Sequence, residues 1–105
     1  MTDKIVVLTA CDSEAQAKAI ARRLVEQRLA ACVNIVPGAT SVYWWQEKME
    51  ESTECLLLIK SSRGLFEKLR DEITRLHAYQ IPECIALPIA DGSQPYLAWL
   101  ERALQ

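Results

Sequence analysis

The hydrophobic positions change their period repeatedly along the chain, and each change marks an element. Lys4-Ile5-Val6-Val7-Leu8-Thr9 is a short apolar run, which predicts a buried central strand. Asp12-Ser13 follows, and Ser13 with Gln16 matches a capping box that opens a helix. In that helix Ala17, Ile20, Ala21, Leu24 and Val25 recur at helical spacing, while Glu14, Lys18, Arg22, Arg23 and Glu26 fill the other face. Two strand-like runs come next, Ala31 to Trp45 and Thr53 to Lys60, rich in the Val, Ile, Thr, Tyr and Trp that suit a pleated surface. Pro37-Gly38 interrupts the first run and reads as a bend or bulge. The turn between them falls at Gln46-Glu47-Lys48 or at Glu50-Glu51-Ser52, neither with an Asn-Gly or Asp-Gly signature.

The run from Cys55 to Lys60 is apolar on nearly both faces, which places it inside a sheet. Ser61-Ser62 is expected to start a second helix, with Leu65, Phe66, Leu69, Ile73 and Leu76 as its buried stripe. His77 to Glu83 is a connector ending near Pro82, and Cys84 to Ala90 a fourth strand that Pro88 assigns to a sheet edge. After the Asp91-Gly92-Ser93 turn, Pro95 suits the first position of a last helix carrying Tyr96, Leu97, Trp99, Leu100 and Ala103. The order is βαββαβ plus a C-terminal helix. With right-handed crossovers it predicts an α+β fold, a ferredoxin-like sandwich of a four-stranded antiparallel sheet with two helices on one face.

Length adds an expectation about assembly. A strand of roughly 15 residues spans about 50 Å at about 3.3 Å per residue, whereas a helix of about 17 residues covers only about 25 Å. One end of the hairpin must then project, and it carries Val42, Tyr43, Trp44, Trp45 and Met49, which are costly to leave in water. Another subunit is the simplest cover, and the other sheet face needs cover too, from the C-terminal helix or from neighbouring subunits.

Composition narrows the classes. The 105 residues, half hydrophobic and a quarter charged, fit a single domain over 1–105. A net charge of −2 argues against a nucleic-acid surface. No apolar run approaches the roughly 20 residues that cross a bilayer, and Met1-Thr2-Asp3-Lys4 leads straight into a strand, so no membrane association and a cytoplasmic location are expected. Cys11, Cys32, Cys55 and Cys84 are spread without a C-x-x-C pair, which favours small buried hydrophobes over a disulfide framework or zinc knuckle.

Several segments, in order and with spacings intact, resemble the CutA divalent-cation tolerance family: VVLTACDS, LAACVNIVPGATSVYWWQ, CLLLIK, HAYQIPECIALPI and YLAWL. The resemblance implies small ferredoxin-like subunits assembled as homotrimers through their long hairpins, a link to tolerance of copper and other divalent metals, and an architecture resembling PII signalling proteins. Three positions depart from the family pattern. His-Pro-Tyr is His77-Ala78-Tyr79 here; a first-strand cysteine proposed in some members as a copper ligand is Thr9, with Cys11 two residues on; and a glycine often found at the hairpin turn is Glu47.

With that resemblance, Cys11, His77 and Glu83 form the candidate metal set, because thiolate and imidazole favour copper or zinc and a carboxylate can complete the ligands. Trp44 and Trp45 read as interface packing. Tyr43, Trp45, Lys60 and Tyr79 form a candidate wall for a ligand in an intersubunit cleft. The acidic run Glu47, Glu50, Glu51 and Glu54 reads as a solvated hairpin face, with a weak cation site as its functional rival. The leading function is a non-catalytic homotrimer that binds divalent metal, copper first; the rival is a PII-like sensor of a small anion or a partner protein. No nucleophile–base set or phosphate loop argues for an enzyme. The C-x-x-C loop of a ferredoxin-like copper chaperone is missing from Thr9-Ala10-Cys11-Asp12.

Overall fold

The structure is a computed structural model and describes residues 2–105. It contains β1 (Lys4–Cys11), α1 (Glu14–Glu26), β2 (Cys32–Trp45), β3 (Lys48–Ser62), α2 (Phe66–Leu76), β4 (Ile85–Pro88) and α3 (Gln94–Ala103). The sheet order is β2-β3-β1-β4 with antiparallel neighbours throughout. The expected βαββαβ sandwich with an extra C-terminal helix is therefore present, and the run centred on Leu57 is an inner strand, paired on both sides as β1 is.

Boundaries follow local chemistry. Ser13 caps α1 by accepting from the Gln16 backbone N–H at 3.2 Å, but the Gln16 side-chain oxygen has no partner, so only half of the capping box forms. The second helix does not begin at Ser61-Ser62. Those residues extend β3, because the Ser61 hydroxyl is buried and donates to the Leu29 carbonyl at 2.7 Å, and a short 3-10 turn at Arg63–Leu65 leads into α2. The fourth strand is shorter than Cys84 to Ala90 and lies on the edge, as Pro88 requires.

Residues on the helix-facing side of the sheet make the core. Ile5, Val7 and Cys11 of β1 and Cys55, Leu57 and Ile59 of β3 pack with Ala17, Ile20 and Leu24 of α1 and Leu69 and Ile73 of α2. Each fully buried Leu or Ile contributes about 1.5–3 kcal/mol relative to exposure. The opposite sheet face carries Val6, Leu8, Leu56, Leu58, Ile85 and Leu87, by the strand registers, and Ile85 and Leu87 stay about half exposed. The third helix covers little of that face. It is held instead at the end of the sheet remote from the hairpin tip, by Leu100, by Lys4 Nζ to Glu101 at 2.5 Å and by Arg28 Nη1 donating to the Ala103 carbonyl at 2.9 Å.

The β2–β3 hairpin closes at Gln46-Glu47, the first of the two expected places, with Trp45 opposite Lys48. Both turn residues have positive φ, 50° and 67°. Two positive φ values match the right-handed twist of the strands, which is why this turn class forms without its usual Asn-Gly. Pro37 and Gly38 together face Cys55, a bulge that Gly38 permits at φ 78°. The hairpin gives the chain its long axis, 44 × 25 × 23 Å, and its tip is uncovered: Trp44 is 76% exposed, Met49 70% and Val42 58%.

Candidate functional site

The bulge decides what the hairpin presents. Strand residues alternate faces, so one extra residue at Pro37-Gly38 inverts the parity of everything beyond it. Ala39 then pairs with Glu54, Ser41 with Ser52 and Tyr43 with Glu50, which brings Ser41, Tyr43 and Trp45 to the same face as Glu54. That face closes on the connector after α2, forming a groove of about 640 Å³ with Ala10, Tyr43, Trp45, Glu54, Tyr79 and Glu83 among its lining.

The connector is seated by His77. Its ring is 8% exposed; Nε2 donates to the Ala10 carbonyl at 2.7 Å, and Nδ1 accepts the Tyr79 backbone N–H at 3.0 Å. Because a carbonyl can only accept and a backbone N–H only donate, the ring is the neutral Nε2–H tautomer with both nitrogens engaged. His77 also packs on Tyr79, ring centroids 4.7 Å apart. Tyr79 in turn sends its hydroxyl to Glu54 Oε2 at 2.7 Å. Burial, together with the Glu54 carboxylate it bonds, pushes the Tyr79 hydroxyl well above the ordinary phenol range.

The expected metal set does not close within this chain. Cys11 is fully buried on the helix-facing side of the sheet, directly opposite Cys55, and burial pushes its thiol up to about 11, so the thiolate a metal needs is disfavoured. His77 has no free nitrogen. Glu83 alone of the three lies on the groove. Among the described residues no three His, Cys, Asp or Glu side chains stand together as metal ligands.

Of the four residues expected to wall an intersubunit cleft, three stand on this groove of the single chain and Lys60 does not, while Trp44 was expected in interface packing. Tyr43, Trp45 and Tyr79 line the groove. Trp44 is on the other face of the hairpin, opposite Met49, and Lys60 pairs with Val6 and Cys32 toward the far end of the sheet, where its Nζ donates to Asn34 Oδ1. Six residues along a strand separate Lys60 from Glu54, about 20 Å. Glu54 was expected on the solvated hairpin face; it is instead 9% exposed, and it is the residue the sequence reading missed. The signal was present, since Glu54 stands next to the apolar Leu56 and Leu58 on its face of β3, where the charged Glu50 side of the hairpin gives way to the sheet.

These features define a class: a ferredoxin-like subunit with an overlong, aromatic-tipped hairpin and a groove where that hairpin meets the connector. The chain matches the model of the CutA1 divalent ion tolerance protein family over residues 5–103 and belongs to that family. It is 54% identical over 95 residues to the divalent-cation tolerance protein CutA of Thermus thermophilus, covering 90% of this chain and 92% of that one. It is 45% identical to protein CutA of Homo sapiens, where the match again covers 90% of this chain but spans about half (53%) of the human protein. Among solved structures, CutA from Xylella fastidiosa superposes with a TM-score of 0.96 at 36% identity, covering 99% of this chain and 100% of that one. CutA1 from Oryza sativa gives 0.92 at 42%, covering 95% and 92%.

Proposed function

We propose that the chain acts in divalent-cation tolerance as a cytoplasmic homotrimer without catalysis. The observation that carries the assembly is the uncovered hairpin tip, where Val42, Trp44 and Met49 are all more than half exposed in a single chain of 11.9 kDa. Apolar exposure on that scale marks an interaction surface. On the opposite, open face of the sheet the half-exposed Val36, Ile85 and Leu87 give a second apolar surface. The relatives named for divalent-cation tolerance support the cellular role.

Cation contact through Cys11 and His77 would need a thiol to ionise against its burial and a ring to surrender a hydrogen bond. The carboxylates are the better donors: Glu83 on the groove and Glu47, Glu50 and Glu51 exposed along the hairpin. Carboxylates standing separately in this way suit hard divalent ions more than copper and bind them weakly. The PII-like reading with a small anion finds no support in a groove lined by Glu54 and Glu83 and by no lysine or arginine. A non-catalytic role agrees with Tyr79 and His77, whose polar atoms are all engaged in holding the connector.

Sedimentation at micromolar concentration should give a particle of about three times the 11.9 kDa chain mass; a well-folded single chain would remove the assembly. Copper titration by calorimetry should give the same affinity for wild type and His77→Ala, while the variant melts earlier because it loses a buried, doubly bonded ring. A large loss of copper affinity in His77→Ala would restore the three-residue metal site.

A further inference from the structure

We propose that the groove between the hairpin and the connector binds a small alkylammonium ion, with Glu54 as its counter-ion and the rings of Tyr43, Trp45 and Tyr79 as its walls. The volume, about 640 Å³, lies within the range that encloses small organic ligands. Glu54 is nine-tenths buried and, among the described residues, in no ion pair. A charge in that position is ordinarily compensated, by an ion pair or by hydrogen bonds to every lone pair. Here the Tyr79 hydroxyl bonds one carboxylate oxygen, Oε2, and the other is open to a ligand or water, with no donor among the described residues.

The rest of the lining selects the ligand. Glu83 adds a second carboxylate, and no lysine, arginine or histidine lines the groove, so the site favours a cation. Two carboxylates without a third ligand are a poor cage for a metal ion. Three aromatic side chains and the aliphatic Ile81 favour a cation with an organic body. An ammonium is attracted to the face of an aromatic ring within about 6 Å of its centroid. A primary ammonium has the further advantage of N–H donors for the open Glu54 oxygen. The inference goes beyond the cation-tolerance reading and stands or falls without it.

The test is calorimetric titration of the purified assembly with n-butylammonium chloride, with n-butanol and sodium butyrate at matched ionic strength as controls. Saturable binding of the amine alone is expected, at one site per chain. Glu54→Gln should weaken it by about tenfold or more and Trp45→Leu by several-fold, whereas Tyr79→Phe, which keeps the ring and frees the second Glu54 oxygen, should retain it. Should Glu54→Gln fail to fold, Glu83→Gln serves, with a loss of at least about threefold expected from one groove charge. No saturable amine binding, equal binding of butanol, or unchanged affinity in a well-folded Glu54→Gln would each overturn the proposal, whatever else occupies the groove.

Discussion

Gln46 and Glu47 sit at φ 50° and 67°, and neither is a residue that favours the left-handed region. The left-handed conformation costs an ordinary residue about 1–2 kcal/mol, so glycine at position 47 should relieve much of it. We expect Glu47→Gly to stabilise the protein by about 1 kcal/mol, read as a rise in the chemical-denaturation midpoint; a fall would mean that the exposed Glu47 makes a contact in the assembly that outweighs the backbone term. Gly38 is the converse case, a positive φ already held by the residue that tolerates it, and any side chain there would be strained at φ 78°. Thr9 shows a different residue-scale compromise. Its hydroxyl is buried without a partner, between Val7 and Cys11 on the core side of β1. The position therefore takes a small, mostly apolar side chain on the core side of the sheet.

Among the elements, α3 is tied to the sheet by a charged cluster as well as by the buried Leu100. Lys4 is buried, with Asp3 at 2.8 Å and Glu101 at 2.5 Å. Burial pushes the Lys4 ammonium down, but the two carboxylates more than offset this and hold it above its usual value. The hydrogen bond from Lys4 holds both Asp3 and Glu101 below the ordinary carboxylate range. Groups with lowered folded pKa values contribute stability that is present above their unfolded values, near 4, and is lost as pH falls through the folded ones. Melting temperature should therefore fall as pH drops below about 4, and Lys4→Met should flatten that part of the profile; an identical acid profile in the variant would mean the cluster does not anchor α3. Lys4 must stay charged for this role, and its raised pKa keeps it so across the working range.

At the scale of the whole molecule, the hairpin is a lever with nothing beneath it. Its far half extends past both long helices, which are 13 and 11 residues, and it exposes tryptophan, methionine and valine. Deleting Tyr43 through Glu50 in register, with a two-residue turn to rejoin the strands, should leave the core cluster intact and yield smaller, less stable particles. Gel filtration and thermal melting check this, because coupling of assembly to folding lowers the melting point when the interface is removed. An unchanged elution volume and melting temperature would show that the tip is not an interface.

Much of this was legible along the chain. Periodicity and caps located every strand and helix, and Pro88 marked an edge and Pro37-Gly38 a bulge, because these signals act through a residue's own backbone and its near neighbours. The boundary at Ser61-Ser62 was misread for the opposite reason: a serine that caps a helix in isolation was recruited by the Leu29 carbonyl, 32 residues away. The same limit governs the site. Sequence alone could select His77, Tyr79 and the paired aromatics as chemically capable, but ring nitrogens satisfied by Ala10 and Tyr79, a thiol buried opposite Cys55, and a carboxylate folded under a tyrosine are facts of long-range packing. Local pattern determined the elements and the overhang; the tertiary structure decided which side chains meet, since whether a polar atom is free or already bonded depends on partners that only folding brings within about 3 Å.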